Sequence, residues 1–221
     1  MTVRSVAPTA PAAPAVLPAR CAVAALALAA LAWAVRAVWH LRLFLAGEPA
    51  SGPPDQGGGT HRPLTALEDS YHQVAAAGGV VTAVCAVVFL FWLDRVRDNA
   101  RALSGSAPRY GSFWLFLGWI VPVANLWIPR GVVADVHRSV FPGRPLPAVV
   151  NWWWGLWLAG LAGGAGIVHA DDTDEVIARA YTGVLPLLAA DLAVVAAAVA
   201  AALMIRTLTA AQDEHLARQG Y

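Results

Sequence analysis

Residues 183–205 read GVLPLLAADLAVVAAAVAAALMI. A helix needs about 20 mostly apolar residues to cross a hydrocarbon core about 30 Å thick. This stretch has that length and carries a single charge, Asp191. Three more stretches pass the same test. They are residues 16–35, with Trp33 ahead of Arg36; residues 74–93, ending in Phe91-Trp92; and residues 152–168, opening on Trp152, Trp153 and Trp154. Tryptophan at the ends of such runs fits the aromatic belt at headgroup level.

The composition agrees. Of 221 residues, 58% are hydrophobic and 13% charged, against about 45–50% and about 25% in soluble domains. Half the usual charge cannot cover a water-facing surface, which excludes an ordinary soluble enzyme and a disordered protein. A net charge of +1 leaves no basic field for nucleic acid, so the expected partner is the lipid bilayer. All 15 basic residues are arginine, and their placement orients the chain.

A further segment, residues 112–129 (SFWLFLGWIVPVANLWIP), is ambiguous: it is barely long enough, has Pro122 near its middle and holds Asn125 in the apolar run. Cytoplasmic loops collect Lys and Arg. Arg4 and Arg20 lie in the N-terminal tail, Arg95, Arg97, Arg101 and Arg109 follow residue 93, and Arg130, Arg138 and Arg144 lie in residues 130–150. Residues 46–73 have only Arg62 against Glu48, Asp55, Glu68 and Asp69, and residues 170–182 set Arg179 against Asp171, Asp172, Asp174 and Glu175. A full crossing at 112–129 would put the three-Arg stretch outside and an acidic loop inside. A re-entrant or interfacial hairpin keeps every Arg-rich piece cytoplasmic, and inside the membrane its non-helical backbone must be shielded by protein. The favoured topology is therefore four full spans with both termini inside and a hairpin around Pro122 packed within the bundle; five crossings is the alternative.

Residues 1–19, with Pro8, Pro11, Pro14 and Pro18, read as a disordered cytoplasmic tail. The following run lacks a clear small-residue cleavage site and reads as an uncleaved span rather than a signal peptide. The transmembrane domain then covers residues 20–210, and residues 211–221 form a short cytoplasmic tail. Residues 47–63 are a Gly/Pro-rich external loop. Thr65 and Glu68 have capping-box spacing, and Asp172 with Glu175 repeats it. Within residues 131–141, Val132, Val133, Val136 and Val140 recur at helical spacing, which predicts a short amphipathic helix on the cytoplasmic interface. No internal repeat suggests the inverted halves of a transporter.

Two polar constellations stand out. Trp92, Arg95 and Asn99 fall at i, i+3 and i+7 and share one helical face beyond the second span. The Arg95 guanidinium there would snorkel, or clamp a carboxylate or lipid phosphate. In residues 119–129 (WIVPVANLWIP), Pro122 and Pro129 break regular helix, and Asn125 can satisfy the freed carbonyls or bridge to Asn99 or Arg95. That makes a structural knot, or the polar lining of a small cavity.

The ordered set Trp92-x-x-Arg95-x-x-x-Asn99, then Trp119-x-x-Pro122-x-x-Asn125-Leu126-x-x-Pro129, then Trp152-Trp153 resembles an actinobacterial membrane-protein family known as domain of unknown function 4328. The resemblance covers roughly residues 65–210, and an Ala-rich, Arg-only composition suits a high-GC actinobacterium. It implies a multi-span membrane protein, in some cases preceded by a Pro-rich tail, and carries no catalytic role. Trp154 and the acidic loop at 170–182 lie outside its pattern.

Asp191 is the isolated anomaly, about 12 Å into the last span at ~1.5 Å per residue. A carboxylate at depth must be paired or protonated. Arg36, near the outer end of the first span, is the expected partner, and the pair would act as interhelical glue; protonation would permit a proton relay. The acidic residues at 171–175 lack the spacing and glycine of a Ca²⁺ loop, and the six histidines show no pair at metal-ligand spacing, so no metal site is expected. His169, at a span end, reads as interfacial. Cys21 and Cys85 form no disulfide framework, and no phosphate loop or nucleophile elbow appears.

The fold expected is all-α: a polytopic membrane helix bundle of four transmembrane helices plus one Pro-broken re-entrant or fifth spanning segment. The function expected is a non-enzymatic structural or interaction protein of the bacterial cell membrane, without cofactor, assembling with itself or a membrane-protein partner. The alternative is a small transporter or channel using Asp191 and Asn125; a lipid-acting enzyme is the weakest, having no nucleophile–base or metal constellation.

Overall fold

Alanine- and leucine-rich sequence favours helix throughout, and every regular element among the described residues is helical. The computed structural model describes residues 14–52, 62–105, 109–163 and 173–218. The elements are α1 (Val16–Ala46), α2 (Ala66–Asp69), α3 (Tyr71–Ser104), α4 (Ser112–Ile120), α5 (Pro122–Asn125), α6 (Ile128–Val140), α7 (Ala148–Ala162), α8 (Thr173–Thr182) and α9 (Val184–Arg218).

Among the described residues, three helices are long and apolar enough to cross a membrane: α1 with 31 residues, the α2–α3 run with 39, and α9 with 35. The expected third span, residues 152–168, is different. Its helix α7 has 15 residues, about 22 Å at 1.5 Å per residue, which falls short of a crossing. The rest of that expected span, residues 164–168, lies outside the described residues. Four full spans are therefore not established by these helices.

The Pro-broken segment bends sharply. The axes of Ser112–Ile120 and Val123–Val140 meet at 106°. Pro122 excludes its predecessor from helical backbone, and Val121 accordingly sits at φ −75° and ψ 114°, which ends α4 at Ile120. Pro122 then opens α5. The expectation that this hairpin is shielded inside a bundle is not met by its side chains: α4 buries Leu115 and Gly118 while Phe113, Phe116 and Ile120 face outward. The α4–α6 corner closes because Gly118 has no side chain. A Cβ there would lie 2.7 Å from Ile128 Cγ2, and Ile128 is buried and stiff at χ1. Gly118→Val should destabilise the protein by roughly 1–3 kcal/mol through overpacking, with partial recovery on adding Ile128→Ala. Chemical denaturation of the single and double variants checks this; equal loss in both would show that Ile128 is not the obstruction.

The chain forms two compact units. One comprises Met1–Val23, Ala86–Asn151 and Ala202–Tyr221, the other Ala24–Cys85 and Trp152–Ala201. In the first, α6 is the amphipathic helix expected at 131–141, beginning earlier at Ile128 and burying Val132, Val133, Val136 and Val140. The expected tail at 211–221 is instead helical as far as Arg218. Met204, Leu208, Gln212 and Leu216, spaced by four, form a buried stripe that continues past the end of the apolar run. At the other terminus, residues 16–19, placed in the disordered tail by composition, are the first turn of α1.

In the second unit a core of Trp39, Leu43, Ile177, Ala180 and Leu187 is joined by Leu67, Tyr71 and Tyr181. The expected acidic loop is helix α8 from Thr173 onward, and Val176, Ile177 and Ala180 bury its apolar face. His169, Asp171 and Asp172 lie outside the described residues.

Candidate functional site

Asp191 is wholly buried on α9. Arg36 of α1 donates to its Oδ1 from Nη2 at 2.6 Å and from Nε at 3.0 Å. One turn further along α1, His40 Nδ1 lies 2.9 Å from Oδ2. The Arg36 guanidinium also stacks over the Trp33 ring, 4.0 Å from its centroid, and Trp33 Nε1 donates to Thr82 Oγ1 at 3.1 Å. Both carboxylate oxygens are thus engaged by side chains of one helix. Sequence reasoning brought Arg36 to Asp191 but missed His40. The signal was present: Arg36 and His40 are an i,i+4 pair, so they share a face.

A second ionic cluster in the same unit surrounds Glu68, which is also wholly buried. Thr65 and Glu68 form the reciprocal capping box that their spacing predicts. The carboxylate receives Arg62 as a fork, Nη2 to Oε1 at 2.6 Å and Nη1 to Oε2 at 2.7 Å, together with the Tyr181 hydroxyl at 2.8 Å. These groups precede residue 74 or belong to α8, outside the apolar runs. Burial alone would raise the Glu68 carboxyl, but the Arg62 guanidinium, the Thr65 amide and the Tyr181 hydroxyl outweigh it and hold the group at about 2. Burial, with donation to Glu68, pushes the Tyr181 phenol up to about 12.

The motif residues from Trp92 to Pro129 lie in the other unit, and the structure does not tie them through Arg95. Arg95 is exposed, whereas Trp92 and Asn99 are buried. The helix turns about 100° per residue, and the buried arc of α3 runs from Asn99 through Trp92, Val96, Ala100 and Leu93 to Arg97. Arg95 falls just past its edge. The buried guanidinium is Arg97, which donates to Ser112 Oγ at 3.1 Å and to the Tyr110 carbonyl at 2.9 Å. Trp92 Nε1 donates to Thr209 Oγ1 at 3.0 Å, and Gln212 Nε2 to the Val96 carbonyl at 2.7 Å. Trp119 is half-buried and meets Phe89 edge-on at 5.7 Å. Pro129 is buried in the first turn of α6. Asn125 is buried with its Oδ1 unpartnered, so that oxygen bridges neither Asn99 nor Arg95.

Residues 61–210 match the family described as Domain of unknown function (DUF4328). The chain belongs to that family. The DUF4328 match takes in the motif residues, Glu68 and Asp191, and leaves Arg36 and His40 before its start. No curated protein and no solved structure matches the chain. Among the described residues no group of His, Cys, Asp or Glu is placed to hold a metal ion.

Proposed function

We propose that this DUF4328 protein is a non-enzymatic structural or interaction protein embedded in a bacterial cell membrane, with both termini cytoplasmic. Supporting membrane insertion, 22% of the most apolar window of α1 and 11% of that of α3 is buried, so most of each faces outward. Leu28, Leu31 and Val35 on α1 and Val84, Val87 and Phe91 on α3 are exposed, an apolar surface that lipid would cover. The observation that carries the structural role is Asp191: wholly buried, with both oxygens occupied by Arg36 and His40, it serves as an ionic staple between α1 and α9.

Membrane-impermeant thiol labelling tests the arrangement, using single cysteines at Gly57 and Ser139 after Cys21 and Cys85 are replaced. Gly57→Cys should react in intact cells and Ser139→Cys only after permeabilisation. Reaction of Ser139→Cys from outside would overturn the re-entrant topology, and recovery of the protein in the soluble fraction would overturn membrane insertion.

A second reading, a small transporter or channel using Asp191 and Asn125, draws support from two buried polar atoms without partners, His40 Nε2 and Asn125 Oδ1. Unchanged proton flux in liposomes with folded Asp191→Asn would sink it for protons.

A further inference from the structure

A cleft of about 540 Å³ opens between the end of α3 and α6, within the first unit. Its charged lining is Arg97, Arg101, Arg109 and Arg138 against Asp135 alone. Asp135 is already committed, pairing with Arg138 and accepting the Arg109 backbone N–H at 3.0 Å. Arg101 is exposed and makes no ion pair among the described residues. Arg109 is exposed as well, its guanidinium 5.8 Å from the centroid of the Tyr110 ring.

Arg97 is the deciding residue. It is only 7% exposed, and among the described residues no carboxylate lies within ion-pair distance of it. Its Nη atoms are held by neutral acceptors, Ser112 Oγ and the Tyr110 carbonyl, and its Nε is buried without a partner. A buried charge is costly unless an opposite charge meets it, and a buried donor left unmade adds to that cost. Asp94, one turn earlier on α3, attracts this charge through space without forming an ion pair with it, so the fold holds a guanidinium in a fixed orientation, without a salt-bridge partner, at the wall of an arginine-rich cleft.

We propose that this cleft binds a phosphate-bearing anion, with Arg97 as the buried anchor and Arg101 and Arg109 as the outer clamps. Guanidinium forks match phosphate oxygens in geometry and charge. The excess of positive charge suits an anionic phosphate, whether ester or diphosphate, and the volume lies in the range of small-ligand sites, so the phosphate has room to be part of a larger molecule. A lipid headgroup and a soluble phosphate share this chemistry. The site goes beyond the structural reading and stands on Arg97 and the cleft alone.

The test uses the full chain in phosphatidylcholine nanodiscs. Inorganic pyrophosphate is titrated by calorimetry, and phosphatidylglycerol binding is measured separately by native mass spectrometry from detergent. At least one probe should bind the wild-type chain, and Arg101→Gln/Arg109→Gln should weaken that binding by about tenfold or more. Pyrophosphate binding assigns a soluble phosphate, and phosphatidylglycerol binding alone assigns a headgroup. Failure of both probes, or undiminished binding by the double variant, overturns the proposal. Arg101→Gln alone, at an exposed side chain, provides the same comparison should the double variant fold poorly.

Discussion

Asp191→Ala should destabilise the protein by roughly 3–5 kcal/mol, the cost of removing one member of a buried charge pair and leaving the other uncompensated. The loss falls on two groups. Arg36 keeps its contact with Trp33 beneath it, which relieves some of the penalty. His40 has no such relief. It is 1% exposed, its Nε2 is already unpartnered, and without Asp191 its Nδ1 loses its partner as well. The companion variant separates an ion-pair effect from a packing effect. Asp191→Leu with Arg36→Met replaces both charges by apolar groups of similar length, and such replacements of buried pairs are often neutral or stabilising. Denaturation in nanodiscs should therefore place the double variant above Asp191→Ala but short of the wild type, because His40 Nδ1 still lacks its partner. If both variants fall equally, the pair contributes nothing specific and the staple reading fails.

How much of this was legible depended on how local the signal was. Helix content, the long apolar runs and the amphipathic face of α6 follow from periodicity and composition, and they are present. The break at Val121 follows from one covalent fact about the residue before proline. The contact of Asp191 with Arg36 was legible because Asp191 is the single charge in its apolar run and Arg36 stands at the end of another. Arg95 shows the opposite case. Its i+3 spacing from Trp92 put it on the right side of the helix, but which part of a helix surface is covered depends on its neighbours, and here the covered arc reaches Arg97 and stops short of Arg95. The end of α9 was hidden for a related reason. Hydropathy falls at Arg206, yet Leu208, Thr209, Gln212 and Leu216 keep the buried stripe going, held by Trp92 and the Val96 carbonyl. The Glu68 cluster was half legible: the cap was visible at Thr65, but Tyr181, 113 residues away, carries no mark in the sequence that it completes the site.

That cluster leads to the other large effect. Glu68→Ala should also destabilise by roughly 3–5 kcal/mol, since Arg62, with a side chain only 9% exposed, would lose its fork, and Tyr181 and the Thr65 amide would lose their acceptor. The effect is tied to protonation. The folded chain holds Glu68 at about 2 against an ordinary 4.5, so the unfolded chain binds the proton more readily. The stabilisation is complete above about 4.5 and is lost as the pH falls from there towards 2. Tyr181 acts in the opposite sense: its phenol is pushed up to about 12 from 10.0, so its share is complete below about 10 and is lost as the pH rises through 12. The cluster is therefore strongest between about 4.5 and 10. Unfolding free energies of wild type and Glu68→Gln, compared from pH 7 down to pH 2.5, should converge below about 4.5, because the glutamine does not titrate. A gap that stays constant across that range would mean that the Glu68 charge does not hold α8 in place, and that the carboxylate acts there only through its shape.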